Sequence, residues 1–431
     1  MERKITAALL EWKQSKYRKP LILQGARQVG KTYSALSFAQ REYDNVAYIN
    51  FELDKNATSI FSAALDPRHI LPQIEVFCKQ GLSKGRSLIF LDEIQSCPEA
   101  LTALKYFCEL APEYHIIAAG SLLGVAASRK EFAFPVGKVD RLTLWPMDFE
   151  EFLLALGKND FTRQIKHCFA HNAPMPPISH NALIELYRQY LVVGGLPECV
   201  LKYADGADHV LIRATQKQIL NDYLDDMSKY NSSNEIKKTR MAFNSVTAQL
   251  SKKNTRFQYK LIKSGGRAAE FENAVEWLVL SGIVTRVFAL ETVKKPLANY
   301  IKTDNFKIFG SDVGLINAKN DVLPADILYN SSDLNDFKGG LTENYVCSAL
   351  SSKGHECFTW KSDGEAEIDF VIQREGRLIP IEVKSSENTK AKSLKVYRER
   401  FEPDYAIKIS ANNFGFANNI QSVPLYAVFC I

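Results

Sequence analysis

Residues Gly25 to Thr32 read GARQVGKT and fill every fixed position of the phosphate-cradling pattern G-x-x-x-x-G-K-[ST]. That pattern works only where a strand ends, a loop turns its amide N–H groups inward and a helix begins. The flanks meet the demand: Leu21-Ile22-Leu23 reads as a buried strand, and Tyr33 to Gln40 reads as the helix behind the loop. Glycine is needed because a Cβ would keep phosphate oxygens away from the amides. The helix N-terminus adds partial positive charge at the same place. Gly25, Ala26, Arg27, Gln28, Val29, Gly30, Lys31, Thr32 and Tyr33 therefore form the expected triphosphate-binding set. Within it, Lys31 is expected to reach the β- and γ-phosphates and Thr32 to hold Mg²⁺. A Gly-rich turn that happens to end in Lys-Thr is the bland alternative, and strand, loop and helix in order speak against it.

Ser87 to Gln95 reads SLIFLDEIQ, a short apolar run ending in two acids. A run without polar alternation suggests a central parallel strand. Carboxylates at its C-terminal end fall where open α/β sheets bind ligands. Asp92 is expected in the Mg²⁺ shell and Glu93 beside the attacking water; a helix N-terminus rich in acids is the rival reading. A third apolar run, His115 to Ala119, leads into Gly120-Ser121. Ser121 is placed equally well to sense the γ-phosphate or to cap the next helix.

A chain of 431 residues is long enough for two to four domains, each with its own core. Net charge is +5, mildly basic, so local clusters must decide whether a polyanion is a partner. Eight cysteines without a C-x-x-C pair read as reduced thiols rather than a disulfide framework or zinc site. His167 and His171 are spaced as on one helix face, but no third ligand accompanies them. Without a signal peptide or a long apolar span, the expected location is the cytoplasm, with no membrane partner.

Residues 1–150 alternate helix and strand: a helix over Ile5 to Tyr17, strands over Asn45 to Leu53 and Asp140 to Trp145. This predicts an α/β, three-layer parallel sheet. Residues 151–235 have the apolar spacing of packed helices, broken at APMPPIS and at GGLP, Gly194 to Pro197, and are expected to form a lid. Residues 236–324 read helix, turn, helix, strand, the order of a winged helix. Its candidate recognition helix carries Glu270, Glu272 and Glu276 against Arg267, which suits packing between units better than DNA reading. Lys252, Lys253, Arg256, Lys260 and Lys263 precede it, as backbone contacts or as a solvated face.

Residues 325–431 form the last unit. EAEIDFVIQREGRLIPIEVK, residues 365–384, reads as a hairpin turning at Glu375-Gly376. That turn sets Asp369 opposite Glu382 with Lys384 on the same face. Opposed like charges destabilise a hairpin by up to about 1 kcal/mol, and a divalent metal reverses the sign. Two carboxylates and a lysine are what a magnesium-dependent phosphodiesterase needs, with Asp369 and Glu382 as metal ligands and Lys384 beside the water. Glu343, in LTENYVCSAL, is a further candidate ligand. An exposed polar face at a sheet edge is the alternative. Lys384, Lys390, Lys392, Lys395, Arg398 and Arg400 stand next to this hairpin against Glu387 and Glu399, a concentration that fits a polyanion such as DNA.

GARQVGKT, FLDEIQ, IIAAGS, GGLP, DVGL at Asp312 to Leu315, LTEN and the EID…EVKSS pair together resemble a widespread prokaryotic family of AAA+ ATPases. The C-terminal region of that family is a domain of unknown function similar to PD-(D/E)XK nucleases. The resemblance implies a P-loop AAA+ core with strand order 5-1-4-3-2, a helical lid and a restriction-endonuclease-like α/β domain, beside the winged helix read from element order. It implies ATP with Mg²⁺ as cofactors, and Pro197 of GGLP as a nucleotide contact. It also implies metal at Asp369 and Glu382, with Lys384 catalytic and Glu343 supporting. Members usually carry Gly-Arg where this chain has Gly137-Lys138, so Arg129, Lys138 and Arg141 are the candidates for a cation offered to a neighbouring subunit of a homo-oligomer. Glu367-Ile368-Asp369 stands in place of the nuclease motif's leading Pro-Asp.

The expected function is ATP binding and hydrolysis coupled to a nuclease-like, DNA-interacting domain. The alternative is a switch ATPase whose C-terminal domain binds nucleic acid or protein without cutting. A scaffold that holds nucleotide structurally is a third reading, which the presence of both Asp92 and Glu93 disfavours.

Overall fold

The computed structural model describes residues 3–121, 123–127, 134–229, 233–250, 256–329, 331, 334–385 and 392–431. They fall into two compact units, one of Glu2–Trp145 with Leu280–Gly282, the other of residues 146–279 and 283–431.

The first unit is built on five strands: β1 (Leu21–Gln24), β2 (Asn45–Asn50), β3 (Ser87–Asp92), β4 (His115–Gly120) and β5 (Asp140–Thr143). All pair in parallel, in the order β2-β3-β4-β1-β5. That is the expected 5-1-4-3-2 arrangement read from the other edge. β3 and β4 are buried along their whole length, which is why their sequences are apolar runs rather than alternations. Helices Lys31–Glu42, Pro67–Cys78 and Pro98–Leu110 connect the strands. One face of the sheet builds its core from Ile22, Ile49, Ile89 and Leu91 with Phe61, Ile74, Leu101 and Phe107. Helix Ile5–Gln14 is anchored by the Trp12 indole, which donates to Lys19 O at 2.8 Å and meets the His115 ring edge-on.

The second unit begins with helices Phe149–Ala155, Asn159–His171, Pro177–Val193, Pro197–Ala204 and His209–Lys229. The breaks fall at the Pro-rich segment and at GGLP, as expected. Helices Ser233–Gln249 and Ala268–Leu280 lead to an eight-stranded mixed sheet. Its strands are β6 (Val284–Leu290), β7 (Ile301–Gly310), β8 (Phe358–Lys361), β9 (Glu367–Arg374), β10 (Arg377–Val383), β11 (Ala406–Ser410), β12 (Gly415–Ala417) and β13 (Ile420–Pro424). Their order is β12-β13-β11-β10-β9-β8-β6-β7. β6, read from sequence as the strand that follows the helices of a winged helix, pairs antiparallel with β7 and joins this sheet through a parallel pairing with β8. Strands from both sides of residue 325 thus share one sheet.

The β9–β10 hairpin turns at Glu375 (φ 49°) and Gly376 (φ 74°), the doubly positive combination that matches strand twist in two-residue turns. Arg377 pairs with Arg374 and Ile381 with Phe370, the register expected from sequence. The crossover from β10 to the parallel strand β11 carries helix Lys392–Phe401, whose Leu394 and Tyr397 pack into a core with Trp360 and Val371. Among the described residues no helix is long and apolar enough to cross a membrane. All eight cysteines are free thiols.

GGLP and DVGL occur together because they build one joint. The Asp312 carboxylate accepts from Leu315 N at 2.9 Å, capping helix Val313–Lys319, and from Gly195 N at 2.6 Å. Gly195 O in turn accepts from Met147 N at 2.6 Å. Burial pushes the Asp312 carboxyl up, and its backbone N–H donors pull against that.

Candidate nucleotide site and C-terminal acid cluster

The loop after β1 has the strained backbone that a phosphate cradle requires. Gly25 (φ 147°), Gln28 (φ 64°) and Gly30 (φ 93°) lie in the positive-φ region. A Cβ on Gly25 would sit 2.1 Å from Leu144 O, so no other residue fits there. Val29 and Ala26 are buried, and Gly30 is the left-handed entry to helix Lys31–Glu42. The Lys31 ammonium donates to Gly25 O at 3.0 Å and Ala26 O at 2.8 Å. Its charge is thus held on the loop's own carbonyls, within the cradle that it is expected to serve. Arg3 supports the loop from behind, its guanidinium donating to Val29 O and Trp145 O, each at 2.8 Å. Tyr33 is half exposed on the first turn of the helix.

The structure brings Thr32 and Asp92 together. The Thr32 hydroxyl donates to Asp92 Oδ2 at 2.8 Å, and the Tyr48 hydroxyl donates to the same oxygen at 3.1 Å. A hydroxyl and a buried carboxylate at a helix N-terminus are hard oxygen donors, and this set fits Mg²⁺.

Glu93 follows in the left-handed region, φ 51°, which turns its side chain away from the strand line. Burial pushes its carboxyl up, opposed by a hydrogen bond from Gln95 and reinforced by Asp92. The Gln95 amide donates to Glu93 Oε2 at 2.5 Å. The other end of that amide, Gln95 Oε1, is buried without a hydrogen-bond partner and lies where a Cβ on Gly120 would stand 2.2 Å away. Ser121 is buried just beyond β4. Gln95 and Arg3 join the expected residues only in the folded structure. Gln95 sits inside FLDEIQ, two residues after the acid that it holds; nothing local marks Arg3.

Of the three candidate trans cations, Arg129 lies outside the described residues. Lys138 pairs with Glu109 at 2.8 Å, and the Arg141 guanidinium lies 4.3 Å from the Phe134 ring centroid. Pro197 belongs to the second unit, where it opens helix Pro197–Ala204.

In the C-terminal sheet the expected residues converge, with an addition. Asp369 Oδ2 accepts from Val383 N at 2.7 Å, which places Asp369 beside the strand residue between Glu382 and Lys384. Glu382 is buried, and its Oε1 pairs with Lys384 Nζ at 2.7 Å. Glu343 does not stand open toward a metal: Lys307, from β7, lies 3.4 Å from its Oε2 and 2.8 Å from Glu367 Oε1. Burial, and then the charge of Glu343, push the Asp369 carboxyl up to about 7. Burial opposes the charges of Lys307 and Lys384, but the surrounding carboxylates hold both ammoniums above the usual lysine value. Among the described residues no group of three or more His, Cys, Asp or Glu is arranged to hold a metal ion. The cations that stand among these acids are the chain's own, Lys307 and Lys384. Lys307 escaped the sequence reading because β7 lies far from the hairpin along the chain. Of the basic segment, Lys390 lies outside the described residues. Lys392, Lys395 and Arg400 are exposed on helix Lys392–Phe401, with Arg398 half-buried.

Residues 17–153 match the family described as an AAA domain. Residues 184–326 and 338–428 match two domains of unknown function, DUF8612 and DUF4143. No curated protein matches the chain in sequence. Among solved structures, the chain is similar to the Walker-type ATPase PABY2304 of Pyrococcus abyssi at 14% identity, covering 74% of this chain and 95% of that one with a TM-score of 0.45. It is also similar to the ORC1 protein of Aeropyrum pernix, solved in complex with DNA, at 13% identity, 74% and 91% coverage and a TM-score of 0.32. The RuvB Holliday junction branch migration motor of Thermotoga maritima shows a comparable likeness at 14% identity, 66% and 88% coverage and a TM-score of 0.30. The segment that matches the AAA domain carries the parallel sheet, the glycine loop and Asp92-Glu93, the fold and motifs that a P-loop ATPase domain needs.

Proposed function

We propose that the chain is a Mg²⁺-dependent AAA+ ATPase whose nucleotide state is coupled to a C-terminal unit that interacts with DNA. The observation that carries the reading is the Thr32–Asp92 contact at 2.8 Å, with Glu93 held one residue further on by Gln95. Arrival of a triphosphate offers Lys31 a stronger partner than two loop carbonyls, so its ammonium transfers to the β- and γ-phosphates. Mg²⁺, when bound beside Thr32 and Asp92, neutralises developing phosphate charge. Glu93, its carboxyl raised by burial, orients and polarises the attacking water. Ser121 and a cation from a neighbouring subunit complete the proposed set.

For the C-terminal unit, the reading in which it binds without cutting is favoured by a specific observation: Lys307 already pairs with Glu343 and Glu367. The exposed basic side chains on helix Lys392–Phe401 support a polyanion as partner. The test is phosphate release measured with and without DNA, with the same reactions run on a gel. The expected result is ATP-dependent phosphate release, DNA binding that falls with salt, and intact DNA. No phosphate release under any condition contradicts the ATPase reading; Mg²⁺-dependent cleavage lost in Lys384→Ala would establish the nuclease reading instead.

A further inference from the structure

We propose that Lys307 is a built-in counter-ion beside the acids that a nuclease resemblance assigns to a divalent metal, which makes the C-terminal acid cluster a metal-independent ion-pair knot. Four carboxylates meet here: Glu343 on helix Asn335–Ser352, Glu367 and Asp369 on β9, and Glu382 on β10. Lys307 spans two of them, at 2.8 Å to Glu367 and 3.4 Å to Glu343. Lys384 takes Glu382 at 2.7 Å, and the Val383 amide takes Asp369 at 2.7 Å. Each acid thus has a partner from this chain before any ion arrives.

A lysine ammonium is a compact point charge with three donors, close in role to a small cation. The Lys307 side chain is only 13% exposed. A divalent ion entering this pocket would sit beside that charge with little water to screen it. Glu382 Oε2 is buried without a hydrogen-bond partner, so it is the oxygen of the cluster left over for an ion when the charge of Lys307 is removed. The lysine comes from β7, the edge strand of the sheet, and reaches β9 and the helix that precedes β8. Its pairings tie the β6–β7 hairpin to the acid-bearing strand without a metal. The inference concerns the second unit alone, so it can fail while the ATPase reading stands, and the reverse.

The experiment titrates Mn²⁺ into the full-length, nucleotide-free protein and follows free Mn²⁺ by electron paramagnetic resonance. In the wild type, Glu382→Gln is expected to leave Mn²⁺ uptake unchanged. Lys307→Met is expected to gain about one Mn²⁺ per chain, and Lys307→Met/Glu382→Gln to lose it again. Lys307→Arg keeps a cation in place and should gain none. A wild-type Mn²⁺ site that Glu382→Gln removes overturns the proposal, and so does a folded Lys307→Met protein with no added site. If Lys307→Met does not fold, the comparison of wild type with Glu382→Gln decides.

Discussion

Gln95 donates its amide hydrogen to Glu93 Oε2 at 2.5 Å, fixing a carboxylate whose backbone already sits in the left-handed region. The amide therefore sets the direction in which the Glu93 carboxylate faces, which in the proposed mechanism is toward the attacking water. Gln95→Ala should leave ATP affinity intact and lower kcat by up to about 100-fold, the scale of a misplaced catalytic group. Glu93→Gln should keep ATP bound and stop turnover. Steady-state phosphate release and an ATP-binding isotherm on each variant separate the two effects; undiminished turnover in Glu93→Gln removes that residue from the mechanism.

The Asp312–Gly195 joint predicts a stability defect. A Cβ at Gly195 would lie 2.0 Å from Met147 O, a backbone atom that cannot swing aside. Gly195→Ala should destabilise the second unit by about 1–3 kcal/mol, as overpacking does, and lower the midpoint of thermal unfolding. An unchanged midpoint would show that the joint yields freely.

Much of this architecture is legible in the sequence. β1, β3 and β4 announce themselves as apolar runs because both faces of a central parallel strand are buried. The β9–β10 register is legible because Glu375-Gly376 suits a turn with two positive φ values, and the turn fixes every later pair. Thr32 and Asp92 are expected together because the phosphate-loop motif constrains geometry across elements. Contacts set by tertiary folding alone escape such a reading. Lys307 reads as an ordinary strand lysine until β7 is placed on the sheet. The pairing of β6 with β8 likewise has no local signal, and Arg3 lies in a segment with no motif at all. Gln95 is visible in its motif, but its role needs the closeness of Gly120.

His115 predicts a pH dependence. Burial first, and the charges of Arg18 and Lys13 next, hold its imidazole down to about 4 from an ordinary 6.5. In the folded state the ring stays neutral, sharing a 2.7 Å hydrogen bond with the Tyr43 hydroxyl. Below pH 6.5 the unfolded chain takes up a proton that the folded one refuses, so stability present above 6.5 is lost as pH falls toward 4. Thermal melts at pH 7 and pH 4.5 should show the wild type losing about 1–2 kcal/mol more than His115→Phe, allowing for water screening. Equal losses in both proteins would place the pH effect elsewhere.

The basic helix predicts a salt signature. Neutralising Lys392, Lys395 and Arg398 together should weaken DNA binding and flatten its dependence on salt, by a slope of about 0.9 for each phosphate that the helix no longer neutralises. Fluorescence anisotropy over a salt series measures this directly. An unaltered slope in the triple variant would move the DNA contact to another surface.

The central claim is that the glycine loop grips a triphosphate through Lys31. An isothermal titration of Mg²⁺-ATP into the wild type and into Lys31→Ala tests it most directly. The account predicts saturable binding by the wild type and its loss in the variant, since Lys31 carries the charge beside the loop amides. Binding of ATP by Lys31→Ala as tight as that of the wild type would contradict it.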